Sequence, residues 1–172
     1  MSRDYLLDTN IFGYLTEANE ESPSRSEAVI LKNKLDNIPK ESRLLCCSIS
    51  LGEIQYGINT ASEKVKPNLQ KVLECIKSLP ILPIDEKVAE SAYSDLRARL
   101  FEKYAPKDGK KRKRLEEWID PTTSKILGIQ ENDLWIVAVA LTFNLTVVSN
   151  DKMEALKAVA GAEISFEDWL NH

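Results

Sequence analysis

The stretch YLLDTN, residues 5–10, joins three apolar residues to Asp8, Thr9 and Asn10 and then runs into helix-like sequence, IFGYLTEAN. A short apolar strand that ends on a carboxylate has two readings. The acid caps the helix that follows it, or it is the first member of a metal-binding group. Where the other strands end, and on what residues, separates the two.

Working outward, further apolar, strand-like stretches lie at 43–48, 81–84, 145–149 and 162–165, the first of all being 4–7. Helical patterns separate them. Residues 22–38 open with a Ser cap and place Ala28, Leu31 and Leu35 on one face. Residues 67–79 begin at Pro67, a good first-turn residue. Residues 85–104 space Val88, Ala92, Leu96 and Leu100 four apart. Strands apolar throughout and separated by helices predict an α/β protein with a parallel sheet covered on both faces. The 172 residues suit a single domain, 1–172, with one compositional break at 105–124 that reads as a basic insertion.

Composition removes several function classes. The longest purely apolar run, LWIVAVAL at 134–141, is too short to cross a bilayer, and no secretory leader is evident. Cys46, Cys47 and Cys75 are odd in number and lack zinc-ligand spacing, so reduced core thiols and a cytoplasmic location are expected. The only histidine is His172, which argues against Ser–His or Cys–His catalysis. Trp135, Phe143 and Trp169 are expected in the core rather than as platforms for bases. The net charge of −4 hides an asymmetry: residues 97–114 carry +7 and the remainder −11. Within that run Lys110, Lys111, Arg112, Lys113 and Arg114 form either a solvated face or a footprint for RNA phosphates.

Four acids fall at strand ends or helix starts: Asp8 after the first strand, Glu53 in the helix after the second, Asp133 opening another helix, and Asp151 after the fourth strand. In open parallel sheets, ligands bind outside the carboxyl ends of the strands. Each acid has an ordinary alternative. Ser50-Leu51-Gly52-Glu53 matches a capping box, Asp133 suits a helix N-terminus, and Asp8 and Asp151 suit caps or turns. Gathered together without histidine, they point instead to a hard cation, Mg²⁺ or Mn²⁺.

The segments LLDTNIF, SISLGEIQYGI and NDLWIVAVALTFNLTVVSND, in this order, resemble the PIN-domain family, especially its small VapC-like toxin nucleases. Ser149 stands where that family commonly has Thr, and Phe143-Asn144 where it usually has a Gly. The resemblance implies a PIN-like three-layer α/β/α fold with a parallel, roughly five-stranded sheet. It also implies a metal-dependent endoribonuclease of a type II toxin–antitoxin pair, often a homodimer, inhibited by an antitoxin protein. Asp8, Asp133 and Asp151 would position the metal, Glu53 would bind or deprotonate a water, and Asn10 and Ser149 would orient waters or acids. Two rivals are a non-catalytic PIN-like RNA-binding or scaffold protein and a haloacid-dehalogenase-like phosphatase. The phosphatase wants a second Asp two residues after the first, where this chain has Asn10.

Overall fold

A computed structural model of the chain describes residues 3–106 and 114–171. They divide into two compact units, one built from residues up to Pro83 with Leu145–Asp151 and the C-terminal segment from Ser165, the other from Ile84–Asn144 and Lys152–Ile164.

The first unit holds the sheet. β1 (Tyr5–Leu7) leads into α1 (Thr9–Ala18) and α2 (Ser26–Asn37), then β2 (Leu44–Cys47), α3 (Ser48–Thr60), α4 (Lys66–Lys77) and β3 (Ile81–Leu82). β4 (Thr146–Val148) and β5 (Phe166–Glu167) complete it. The five strands are all parallel, in the order β3-β2-β1-β4-β5. Tyr5–Leu7 and Thr146–Val148 are buried without alternation, as a covered parallel sheet requires. Ile11, Phe12, Leu15, Leu31, Ile76 and Trp169 pack into one core, where the Tyr5 and Trp169 rings meet edge to face at 4.7 Å.

Two expectations in this unit need correction. The fifth strand does not occupy 162–165: a tight 3₁₀ turn takes Gly161–Glu163, where Gly161 has a φ of +60°. The ladder to β4 starts only when the Ser165 carbonyl accepts from Val147 N, 2.9 Å. Nor does a Ser cap open α2. Its cap residue is Arg25, without a side-chain cap bond. Glu17 of α1 supplies the acceptor instead, taking Ser24 N and Arg25 N, each at 2.7 Å, and the Ser24 hydroxyl at 2.8 Å. Bonds from Arg25 backbone, then from its guanidinium, and from Ser24 hold the Glu17 carboxyl down at about 2.

A folded-state value below the usual 4.5 gives a defined sign. The Glu17 contribution to stability is present above pH 4.5 and is lost as pH falls toward 2. Glu17→Gln should therefore melt below wild type at pH 6 and converge with it near pH 2, as thermal melts across that range would show. A constant gap between the two curves would rule out this linkage.

The second unit contains a π-helical turn (Val88–Tyr93) running into α5 (Ser94–Tyr104), then α6 (Glu131–Phe143) and α7 (Glu154–Ala160). Val88, Leu96 and Leu100 are buried and Ala92 half-buried, in keeping with their four-residue spacing. Within the 105–124 stretch a 3₁₀ turn at Leu115–Glu117 buries Leu115, and Ile119 forms an isolated antiparallel bridge with Ile126. Lys110, Lys111, Arg112 and Lys113 lie outside the described residues, whereas Arg114 is exposed. Leu134 and Ile136–Ala140 bury α6 in its middle. Trp169 is core as expected, Trp135 is half-buried, and Phe143, ending α6, is 38% exposed, which corrects its assignment to the core.

Asn144 ends α6 in the left-handed conformation, φ 53° and ψ 52°. Asn is one of the few side chains that tolerate this region, so the missing glycine is replaced in function rather than lost. Asn144→Ala should cost about 1–2 kcal/mol. Asn144→Gly should cost less, and differential scanning calorimetry would rank the two.

No described helix is long and apolar enough to cross a membrane.

Candidate active site

The order β3-β2-β1-β4-β5 reverses direction between β1 and β4, and it is outside the carboxyl ends of strands at such a switch point that open parallel sheets bind ligands. Leu7 pairs with Val148 there, and Asp8 N donates to the Val148 carbonyl, 2.9 Å, so the residues that follow both strands are held side by side. Asp8 follows β1, and Ser149 follows β4.

Asp8 is only 4% exposed, and both its carboxylate oxygens are engaged. Oδ1 accepts from Thr9 N at 2.7 Å, which makes Asp8 the cap of α1. Oδ2 accepts from the Ser149 hydroxyl at 2.6 Å. Burial of an ionised acid demands such partners. Ser149 Oγ in turn accepts from Asn10 Nδ2 (3.2 Å) and Asp151 N (3.0 Å). Asn10 Nδ2 also donates to Asp151 Oδ2 at 2.9 Å, while Asn10 Oδ1 takes Asn150 N at 3.3 Å. Asn10 is thus committed to holding Asp151, an exposed acid on an irregular segment.

The second half of the constellation starts at Thr9. Its hydroxyl donates to Glu53 Oε2 and lies 2.8 Å from Ser50 Oγ. One proton on Thr9 serves the carboxylate, so Ser50 supplies the donor for the second bond. Ser50 is fully buried and sits one helical turn before Glu53, on the same face of α3. The capping-box reading of Ser50 to Glu53 fails because α3 begins at Ser48, with Cys47 as its cap. Glu53 therefore stands in the second turn of α3, and its carboxylate accepts from the Thr9 hydroxyl of α1. Thr9 was not assigned to the site from the sequence, and Ser50 was taken there only as a possible capping partner of Glu53. Their signal was adjacency: Thr9 follows one acid, and Ser50 lies three residues before another.

Asp133 belongs to the second unit. It occupies the third position of α6, and its Oδ2 accepts from Gln130 N at 2.7 Å. Of the four acids it is the one for which the capping-box geometry is realised. Asp8 caps as well, yet its second oxygen is used across the sheet.

The donors gathered here suit a hard cation. Asp8, Glu53 and Asp151 offer carboxylates, with the hydroxyls of Thr9, Ser50 and Ser149 and the Asn10 amide beside them. The nearby thiols do not compete: burial, the largest cause, raises Cys47 and pushes Cys46 up to about 12, so both stay protonated. Among the described residues no three acids, histidines or cysteines form a ready-made cage. Mg²⁺ does not require one, because it keeps several waters and takes one or two carboxylates.

A family model described as PIN domain matches residues 5–162. The chain belongs to the PIN domain family. It is 28% identical over 150 residues to Ribonuclease VapC2 of Rickettsia felis, covering 87% of this chain and 88% of that one. Among solved structures it resembles VapBC2 from Rickettsia felis bound to a DNA fragment from its promoter, with 26% identity, a TM-score of 0.64, and 96% and 98% of the two chains covered. The fold also matches DNA-bound VapBC from Salmonella typhimurium, with 21% identity, a TM-score of 0.63 and 98% and 99% covered.

Proposed function

We propose that this protein is a Mg²⁺- or Mn²⁺-dependent endoribonuclease, the toxin of a toxin–antitoxin pair acting in the cytoplasm. The observation that carries the reading is the continuous chain of polar contacts from Glu53 through Thr9 and Asp8 to Ser149, Asn10 and Asp151, laid across the sheet's reversal point. The likeness to a ribonuclease over most of the chain supports it.

Asp8, Asp133 and Asp151 would hold the cation. When bound, it would lower the pKa of a water at the site and offset charge developing on the phosphate. Glu53 would take the proton of the attacking water as the new P–O bond forms and the bond to the leaving ribose oxygen breaks. Thr9 and Ser50 keep its carboxylate aimed, and Asn10 and Ser149 keep Asp151 and Asp8 in place. Asn10 at the position where a phosphatase needs its second Asp is already spent as a donor to Asp151, which tells against that rival.

Purified protein should cut single-stranded RNA with Mn²⁺ and stop with EDTA. Metal-independent binding without cleavage would favour the non-catalytic rival. Replacing Lys110, Lys111, Arg112, Lys113 and Arg114 with Ser should weaken RNA binding and flatten its dependence on salt, because each phosphate contact releases counterions. An unchanged slope would make the run a solvated face.

The antitoxin should carry a basic side chain that seats near Asp8 and Asp133, since an Arg is well suited to pair with carboxylates. A homodimer is the assembly we propose for the toxin; the apolar middle of α6 is already buried within the single chain and does not serve as its contact.

A further inference from the structure

We infer that Tyr93, Arg97 and Glu131 clamp the first turn of α6 so that Asp133 is held in place, which makes Tyr93 and Arg97 positioning residues for the reaction proposed above; the inference rests on that reading. Tyr93 ends the π-helical turn and Arg97 lies four residues later, so both face the same way. The Tyr93 hydroxyl donates to Glu131 Oε1, and Arg97 Nη1 donates to Glu131 Oε2 at 3.0 Å. Both oxygens of one carboxylate are thus taken from the neighbouring helix. The Tyr93 ring also stacks on Trp135, centroids 3.6 Å apart and planes 8° from parallel. Arg97 is itself steadied over the Trp118 ring at 5.3 Å.

Glu131 and Trp135 lie one helical turn apart on α6, and Asp133 sits between them. The burial of Leu134 and Ile136–Ala140 already docks this helix. What apolar packing does not set is the rotation and axial position of its first turn, because that turn has few backbone bonds of its own. The polar pair and the ring stack set both. A π turn adds a residue to the helical ladder and re-aims the face that follows, a device often found at functional sites. Burial, followed by the bond to Glu131, pushes the Tyr93 hydroxyl up to about 12, so it remains a donor through neutral pH.

The test compares Tyr93→Phe, Glu131→Gln, Arg97→Met and Arg97→Lys with Glu163→Gln, which breaks only the Arg99–Glu163 pair elsewhere on α5. Steady-state cleavage of a defined single-stranded RNA with Mn²⁺ should show kcat reduced about 10–100-fold in the first three, with KM little changed. Arg97→Lys should recover part of the loss, and Glu163→Gln should match wild type. Independently of activity, exchange of the Leu134 and Trp135 amides should quicken in Tyr93→Phe and Glu131→Gln while amides 137–141 keep their protection. Unchanged kcat, or quickened exchange spread evenly along α6, would overturn the clamp. Wild type that cuts no RNA would overturn the nuclease reading instead, and the exchange result would then decide the clamp alone.

Discussion

Asp8→Asn is expected to lower RNA cleavage by more than about 100-fold, beyond the range seen when only an outer partner of a metal ligand is changed. An amide is a poor ligand for a hard cation. The geometry adds a second reason. Ser149 donates to Oδ2 and Thr9 N donates to Oδ1, so the wild-type carboxylate accepts on both sides. An Asn side chain must turn its NH₂ toward one of these donors, and either orientation loses a bond. The loss of one hydrogen bond is about 1 kcal/mol, which at roughly 2–4 °C per kcal/mol leaves the protein folded at assay temperature. Cleavage of single-stranded RNA in Mn²⁺, alongside a thermal melt, separates lost chemistry from lost fold. Full activity in Asp8→Asn would end the assignment of Asp8 as a ligand.

Saturating Mn²⁺ should raise the melting temperature of wild type by about 5–10 °C. Ligand at about 100 times its dissociation constant stabilises the folded state by roughly 2.7 kcal/mol when the unfolded chain does not bind. In a chain of this length each ~1 kcal/mol shifts melting by ~2–4 °C. Asp133→Asn should gain much less from the metal. Because Asp133 also caps α6 through Gln130 N, Asn, which keeps an acceptor oxygen, should melt close to wild type without metal, whereas Asp133→Ala should lose about 1 kcal/mol. Melts of the three proteins with and without Mn²⁺ separate ligation from capping. Equal metal shifts in wild type and Asp133→Asn would leave Asp133 as a cap alone.

Much of the fold was readable because it rests on local rules. The four strand positions before the last, the α5 face of Leu96 and Leu100, and the buried middle of α6 follow from apolar runs and four-residue spacing. Two of the errors fell where a distant residue replaces a local one, and a third where a local turn went unread. Ser was expected to cap α2, but Glu17 reaches in from the preceding helix. Glu53 was read as a possible cap, but α3 starts two residues before Ser50, and the Thr9 hydroxyl of α1 reaches the acid instead. The last strand moved because Gly161, at positive φ, starts an extra turn before the chain extends.

From the sequence alone came the parallel α/β class, the order of the acid-bearing segments, and the expectation of oxygen rather than imidazole ligands in a chain with one histidine. These depend on residue type and spacing, which the chain states directly. Tertiary structure decided which side chains hold the acids. Thr9 meets Glu53 across 44 positions, and Asn10 and Asp8 meet Asp151 and Ser149 across 141. No period or motif encodes such pairings. They exist because β1 lies between β2 and β4, so the residues that follow the three central strands come to the same edge of the sheet.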